Sequence, residues 1–369
     1  MMYKPQTQKP MENNTTIRRL GDFICEVNER NSNGFISLSQ GICNLKYFQN
    51  PRQVSATPEL DKIVRTGQFA YNRATTRNGD KISIALREGP DCTVSSAYCV
   101  FYITDENVID PHWLWLWFKR PDFDRYAIFK SHGSAHEFFE FETMCNVKLS
   151  VPPIEEQRAI VARHRAIEHK IDVNHRLIAA LEETARTIYR HTFIDNIDPE
   201  NLPQGWRIGT IGDIIDISSG KSITDKVDEI NEIYKYPVAG ASGIIGYSKG
   251  YNQAKPFITT GRVGTIGVVN RYFEYAWTAD NVLVAKSDYY EFAVQTLKHV
   301  NYDELIGGGV QNLITQTGLS AVMIPIPPKS IISEFENKVS KIAYLIRAHI
   351  KENEHLIKLI PYCINNNNS

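Results

Sequence analysis

The chain has 369 residues, of which 42% are hydrophobic and 22% charged, and a formal net charge of −1. That length and balance describe an ordinary globular protein of two or three domains and exclude fibrous and intrinsically disordered classes. Near-neutral charge also excludes a protein that coats nucleic acid non-specifically, since neutralising phosphates takes a concentration of Lys and Arg, while leaving room for local basic patches.

Six scattered cysteines (Cys25, Cys43, Cys92, Cys99, Cys145 and Cys363) form no CxxC pair and no zinc-like spacing, so reduced thiols are expected, with no disulfide framework and no metal site. The apolar stretches fall short of the ~20 residues a membrane helix needs, and the polar start MMYKPQTQKPMENNTT lacks a signal-peptide core. A cytoplasmic protein without membrane contact is the expectation.

In chain order, period-2 and period-3.6 patterns predict strands at 82–86 and 99–103, a helix at 113–118 and a long helix after Pro153. Strands at 257–260, 265–269 and 282–285 follow, then a helix at 292–300 and a second long helix after Pro328. The Asn201–Trp206 segment NLPQGW, with its Pro and Gly, reads as the linker into the second half.

The two halves repeat. VKLSVPP (147–153) matches VMIPIPP (322–328) at an offset of 175, and GSAHEFF (133–139) falls on GGVQNLI (308–314) at the same offset. Further upstream, IRRLGDFI (17–24) resembles IGTIGDII (208–215), and 69–79 resembles 257–267.

After each Pro-Pro, apolar positions alternate spacings of four and three. The first seam is Ile160, His164, Ile167, Ile171, Asn174, Ile178, Leu181, Ala185 and Ile188; the second is Phe335, Val339, Ile342, Ile346, His349, Asn353, Leu356 and Ile360. Matched heptad seams, each with a polar position, predict an antiparallel coiled coil in which Asn174 and Asn353 fix register. The expected architecture is α/β (α+β): globular domains at 1–152 and 196–327 separated by long antiparallel coiled-coil helices at 153–195 and 328–363, in a pseudo-two-fold repeat.

Catalytic constellations are sought without success. Gly220-Lys221-Ser222 resembles the tail of a phosphate loop, but Ile215 stands where the first glycine belongs. Gly261-Arg262-Val263-Gly264 and the glycines at 307–309 lack the strand-GxGxxG-helix context of a dinucleotide site. Neither an Asn-Pro-Pro-Tyr nor an Asp-Pro-Pro-Tyr tetrapeptide occurs, so no cofactor is expected and methyl transfer would need another chain. His132, His136, Glu137, Glu140 and Glu142 could ligate a metal, but their counterparts in the second copy could not. Trp113, Trp115, Trp117 and Phe118 lie at the spacing of a helical core.

Two windows are basic without interruption by acids. Between Asp61 and Asp80 lie Lys62, Arg65, Arg73 and Arg77; between Glu232 and Glu274 lie Lys235, Lys249, Lys255, Arg262 and Arg271. Accompanied by Asn, Gln, Ser and Thr, they have the chemistry that meets phosphates and base edges. With neighbouring Lys81 and Lys221, the candidate DNA contacts are Tyr71, Asn72, Arg73, Thr75, Thr76, Arg77, Lys81, Lys221, Lys249, Lys255, Thr260, Arg262 and Thr265.

LSVPPIEEQRAI (149–160) followed by KIDVNHRLIAALE (170–182) resembles the central conserved region of the specificity (S) subunits of type I restriction-modification enzymes, and the likeness spans nearly the whole chain. YNRATTRNGD (71–80) with SSAY (95–98), and TGRVGTIG (260–267) with TADN (278–281), resemble target-recognition domains of that family. The second copy departs at KSIISEF (329–335), so contacts of Gln157 or Arg158 need not have an equivalent.

The resemblance implies a non-enzymatic subunit that binds double-stranded DNA with a bipartite target, each domain reading one half while the helices set the gap. It further implies modification (methyltransferase) and restriction subunits as partners. The competing readings are the specificity chain of a fused restriction-methylation enzyme and a coiled-coil protein-interaction scaffold; a self-sufficient nuclease or methyltransferase lacks its motifs.

Overall fold

The computed structural model describes residues 16–365 except 52, 54, 56, 75–79, 132–137, 255 and 307–312. It divides into two units, residues 1–171 with 354–369, and residues 172–353.

The strands of the first unit are β1 (Thr16–Arg19), β2 (Ile24–Val27), β3 (Gly41–Ile42), β4 (Phe48–Gln49), β5 (Lys62–Val64), β6 (Phe69–Asn72), β7 (Ile84–Leu86), β8 (Cys92–Val94), β9 (Tyr98–Ile103) and β10 (Lys148–Val151). Its helices are α1 (Pro111–Phe118), α2 (Pro121–Ser131), α3 (Phe141–Cys145) and the first part of α4 (Ile154–Phe193). An antiparallel sheet of order β2-β9-β6-β7 forms the frame, and β1 pairs with β10 beside it. Phe69, Phe101 and Phe118 meet at the centre, each fully buried and each contributing on the order of 2–3 kcal/mol of transfer free energy. Trp113 and Trp115 belong to this core, as helical spacing predicts.

The second unit holds β11 (Arg207–Thr210), β12 (Asp216–Ser219), β13 (Tyr236–Gly240), β14 (Gly243–Ser248), β15 (Phe257–Gly261), β16 (Val269–Tyr272), β17 (Trp277–Thr278), β18 (Val282–Lys286) and β19 (Met323–Ile326). Its helices are α5 (Tyr290–Lys298), α6 (Gln316–Ser320) and most of α7 (Lys329–Asn365). The sheet order β12-β18-β15-β16 repeats that of the first unit, and β11 pairs with β19 as β1 does with β10.

The strand expected at 265–269 is instead a turn followed by β16. Gly264 and Gly267 take φ of 75° and 76°, and Thr265 O lies 1.9 Å from where a side chain on Gly261 would begin, so the chain doubles back where only glycine fits.

Strand pairing corrects the internal alignment. Phe69 faces Phe101 and Asn72 faces Tyr98; Ile258 faces Ala285 and Gly261 faces Val282. Phe69 therefore corresponds to Ile258 rather than Phe257, and the offset in this strand is 189, not 188. Because side chains alternate faces, that slip of one residue matters: it makes Arg73 the counterpart of Arg262. The backbone agrees, since Phe139 N–H donates to Arg73 O at 2.9 Å and Ile314 N–H donates to Arg262 O at 3.0 Å.

No described position of either heptad seam is exposed. In the second unit α4 and α7 run antiparallel: Asn174 Nδ2 donates to Asn353 Oδ1 at 2.8 Å, while Tyr189 and Phe193 pack edge-on against Phe335. Glu155 and Glu156 at the start of α4, with Arg190 and His191 at its end, suit the helix dipole.

Candidate nucleic-acid interface

In the first unit, β6 delivers the first basic window. Phe69, Ala70 and Tyr71 are fully buried because β6 is central in its sheet. Tyr71 is consequently a core residue and not a DNA contact: its hydroxyl donates to Phe139 O at 3.1 Å, and its ring meets Phe101 and Phe139. Asn72 Oδ1 accepts from Ala74 N–H at 3.1 Å, turning the chain out of the strand.

Arg73 follows, half-buried, with Nε donating to Ala97 O at 3.2 Å and Nη1 3.4 Å from Glu140 Oε2. Thr75, Thr76 and Arg77 lie outside the described residues. Lys81 is exposed beside a cavity of about 890 Å³ that also borders Lys46, Lys119 and Asp124. There Lys46 is buried against Asp124 at 2.6 Å, and burial lowers its pKa; burial holds Lys119 down to about 8.

In the second unit, β15 performs the same delivery. Thr260 is fully buried, its hydroxyl 3.2 Å from that of Tyr302, so it too belongs to the core and is set aside as a contact. Arg262 is half-buried, with Nη1 3.5 Å from Ser219 Oγ and its backbone N–H donating to Asn281 O. No carboxylate lies within ion-pair distance of it among the described residues. Thr265 is exposed in the turn beyond.

Lys221 is exposed, and its backbone is fixed by Thr278 O and the Trp277 indole. Gly220 lets this loop approach, since a side chain there would sit 1.8 Å from Ala279 O; the phosphate-loop resemblance of Gly220-Lys221-Ser222 thus has a packing explanation. Lys249 is engaged, 2.9 Å from Asp225 and over the Tyr234 ring, and its pKa is pushed up to about 12 by Tyr234 and Asp225. Lys255 lies outside the described residues.

Lys221 and Arg262 are thereby each tied by a backbone bond to the 277–281 segment, and Trp277 lines a cavity with Asp225 and Lys249. Sequence reasoning misses a half-exposed aromatic group of the second unit: Tyr251 stands 5.1 Å from Tyr236 of β13 and 4.6 Å from Tyr275. No local signal joins 236, 251 and 275; the last two meet because the backbone of Gln253 pairs with that of Ala276. Among the described residues no cluster of His, Cys, Asp or Glu could hold a metal ion, and His132, His136 and Glu137 lie outside them. No helix among them is long and apolar enough to cross a membrane.

Each domain is also locked to a long helix, by different chemistry. Gln157 of α4, fully buried, donates to Val108 O and Pro152 O and accepts from Asp110 N–H, all within 2.9 Å. Its counterpart is the buried, apolar Ile332; one turn later Glu336 of α7 takes over, accepting from the N–H groups of Glu291 and Phe292 at the start of α5.

A family model for the type I restriction modification DNA specificity domain matches the chain twice, over residues 34–183 and 203–359. Among solved structures, the S subunit of a type I restriction-modification system from M. genitalium aligns with a TM-score of 0.60 at 15% identity, covering 99% of each chain. The HsdS subunit from Thermoanaerobacter tengcongensis aligns with a TM-score of 0.40 at 17% identity, over 100% of this chain and 99% of that one. No curated protein matches the chain.

Proposed function

This chain belongs to the type I restriction modification DNA specificity family and is a DNA-recognition subunit, and from that premise we propose that its two domains read the two halves of a bipartite duplex target through Arg73 and Arg262. The observation that carries the proposal is the placement of these arginines at one equivalent point of the repeat, each leaving the central strand of its sheet. Asn72, Lys81 and the 75–77 segment accompany Arg73; Lys221, Lys249, Lys255 and Thr265 accompany Arg262.

Arginine suits either of two roles, a bidentate bond to guanine or a point charge on phosphate. The paired helices set the distance between half-sites. Methyl transfer and cleavage fall to modification and restriction subunits in the cytoplasm, and this chain contributes neither catalysis nor a cofactor site. The carboxylate beside Arg73 and the Asp225 beside Lys249 make those two cations conditional contacts, whereas Arg262 and Lys221 stand ready.

Sequencing the methylated sites of a host that carries the chain with its modification subunit tests the proposal. A motif of two short blocks is expected. Arg262→Ala relaxes one block only, at a cost of about 1–3 kcal/mol if the contact is bidentate to guanine. A variant that degrades both blocks equally refutes the division of labour.

A further inference from the structure

We infer that Glu140 is a built-in competitor for Arg73, a carboxylate that must be displaced before the first domain's arginine can engage DNA. The inference rests on the DNA reading of Arg73 and deepens it. Glu140 occupies the N-cap position of α3, yet its side chain makes no capping bond; its carboxylate lies 3.4 Å from Arg73 Nη1 instead. The corresponding residue of the second domain, Thr315, does cap its helix, accepting from Gly318 N–H at 2.9 Å.

One structural position thus carries a hydroxyl used locally in one copy and a carboxylate spent on an arginine in the other. A helix N-terminus favours an acid through its dipole, but the bonding capacity of Glu140 is directed at Arg73. Arg262, without a carboxylate partner among the described residues, has no such competitor.

The pair is built to open. Its side chains are 36% and 52% exposed, and exposed ion pairs are weak. A phosphate on arbitrary DNA gains little by exchanging places with Glu140, so Arg73 stays paired in non-specific encounters. A bidentate base edge offers two charge-assisted bonds and outcompetes a single long contact. Glu140 therefore suppresses binding to the wrong sequence, specificity achieved by penalising competitors.

The test uses the full chain assembled with its modification subunit and a random-sequence duplex, titrated over a range of salt. Glu140→Gln should tighten binding about two- to five-fold, the range of an exposed ion pair, and steepen the salt dependence by about one phosphate contact. It should also relax the half-site read by the first domain. In Arg73→Ala with Glu140→Gln, the second substitution should have no effect.

If Glu140→Gln changes neither affinity nor salt slope, or weakens binding, while Arg73→Ala still impairs recognition, the competitor is disproved and the DNA reading stands. If Arg73→Ala alters nothing, the DNA reading of this residue falls, and the inference with it.

Discussion

Arg271→Met is expected to destabilise the second unit strongly. The Arg271 guanidinium is 13% exposed and bridges two carboxylates, Glu291 at 2.8 Å and Glu182 of α4 at 2.5 Å; Lys298 reaches the second oxygen of Glu182 at 2.7 Å. Glu291, 3% exposed, has no other cation beside it among the described residues. Removing one partner of a buried pair leaves an uncompensated charge and costs about 3–5 kcal/mol.

For a unit of this size that corresponds to a melting-temperature loss of roughly 6–20 °C. The pH dependence adds a signature. Burial already lifts the Glu291 pKa, and without Arg271 nothing opposes it. The folded state then holds a proton that the unfolded chain has released above pH ~4.3, so stability falls as pH rises from that value through the elevated folded pKa. The variant's deficit is therefore larger at neutral than at mildly acidic pH.

Calorimetry of parent and variant across that range reads both effects, and adding Glu291→Leu should recover much of the loss by removing the orphaned charge. A variant that melts like the parent at both ends of the range would refute the reasoning.

Two further outcomes are expected. Gln157→Ala should cost the first unit about 2–4 kcal/mol, because two carbonyls and one N–H lose their buried partner, and the loss should be absent from Ile332→Val in the second unit; equal small losses in denaturant titrations would contradict this. Duplicating one heptad in each helix, residues 171–177 and 346–352, keeps both seams in phase and adds about 10 Å. The preferred spacer should then lengthen by about three base pairs at ~3.4 Å each, and a folded variant that still selects the parental spacer rules the helices out as the ruler.

The heptad seams were legible in the sequence because helical periodicity is local: the same 3.5-residue rule that spaces Ile160, His164 and Ile167 is the rule that buries them. The Pro-Pro boundaries and the repeat offset of 175 are likewise linear facts, and α4 and α7 begin at Ile154 and Lys329, directly after each Pro-Pro. Even the polar seam positions were readable, although that Asn174 would meet Asn353 follows only from antiparallel register.

Strands carry less information in themselves. Which face of β6 and β15 turns inward depends on partners some thirty residues away, and so Tyr71 and Thr260, polar residues in basic windows, lie in the core. The shift from 188 to 189 that pairs Arg73 with Arg262 has the same origin, since strand register is a non-local property. Long charged side chains leave the least trace of all. That Glu140 takes Arg73, that Glu336 replaces Gln157 one turn later, and that Arg271 serves two carboxylates from different elements was decided by the fold, which brings together groups whose separation along the chain carries no periodic signal.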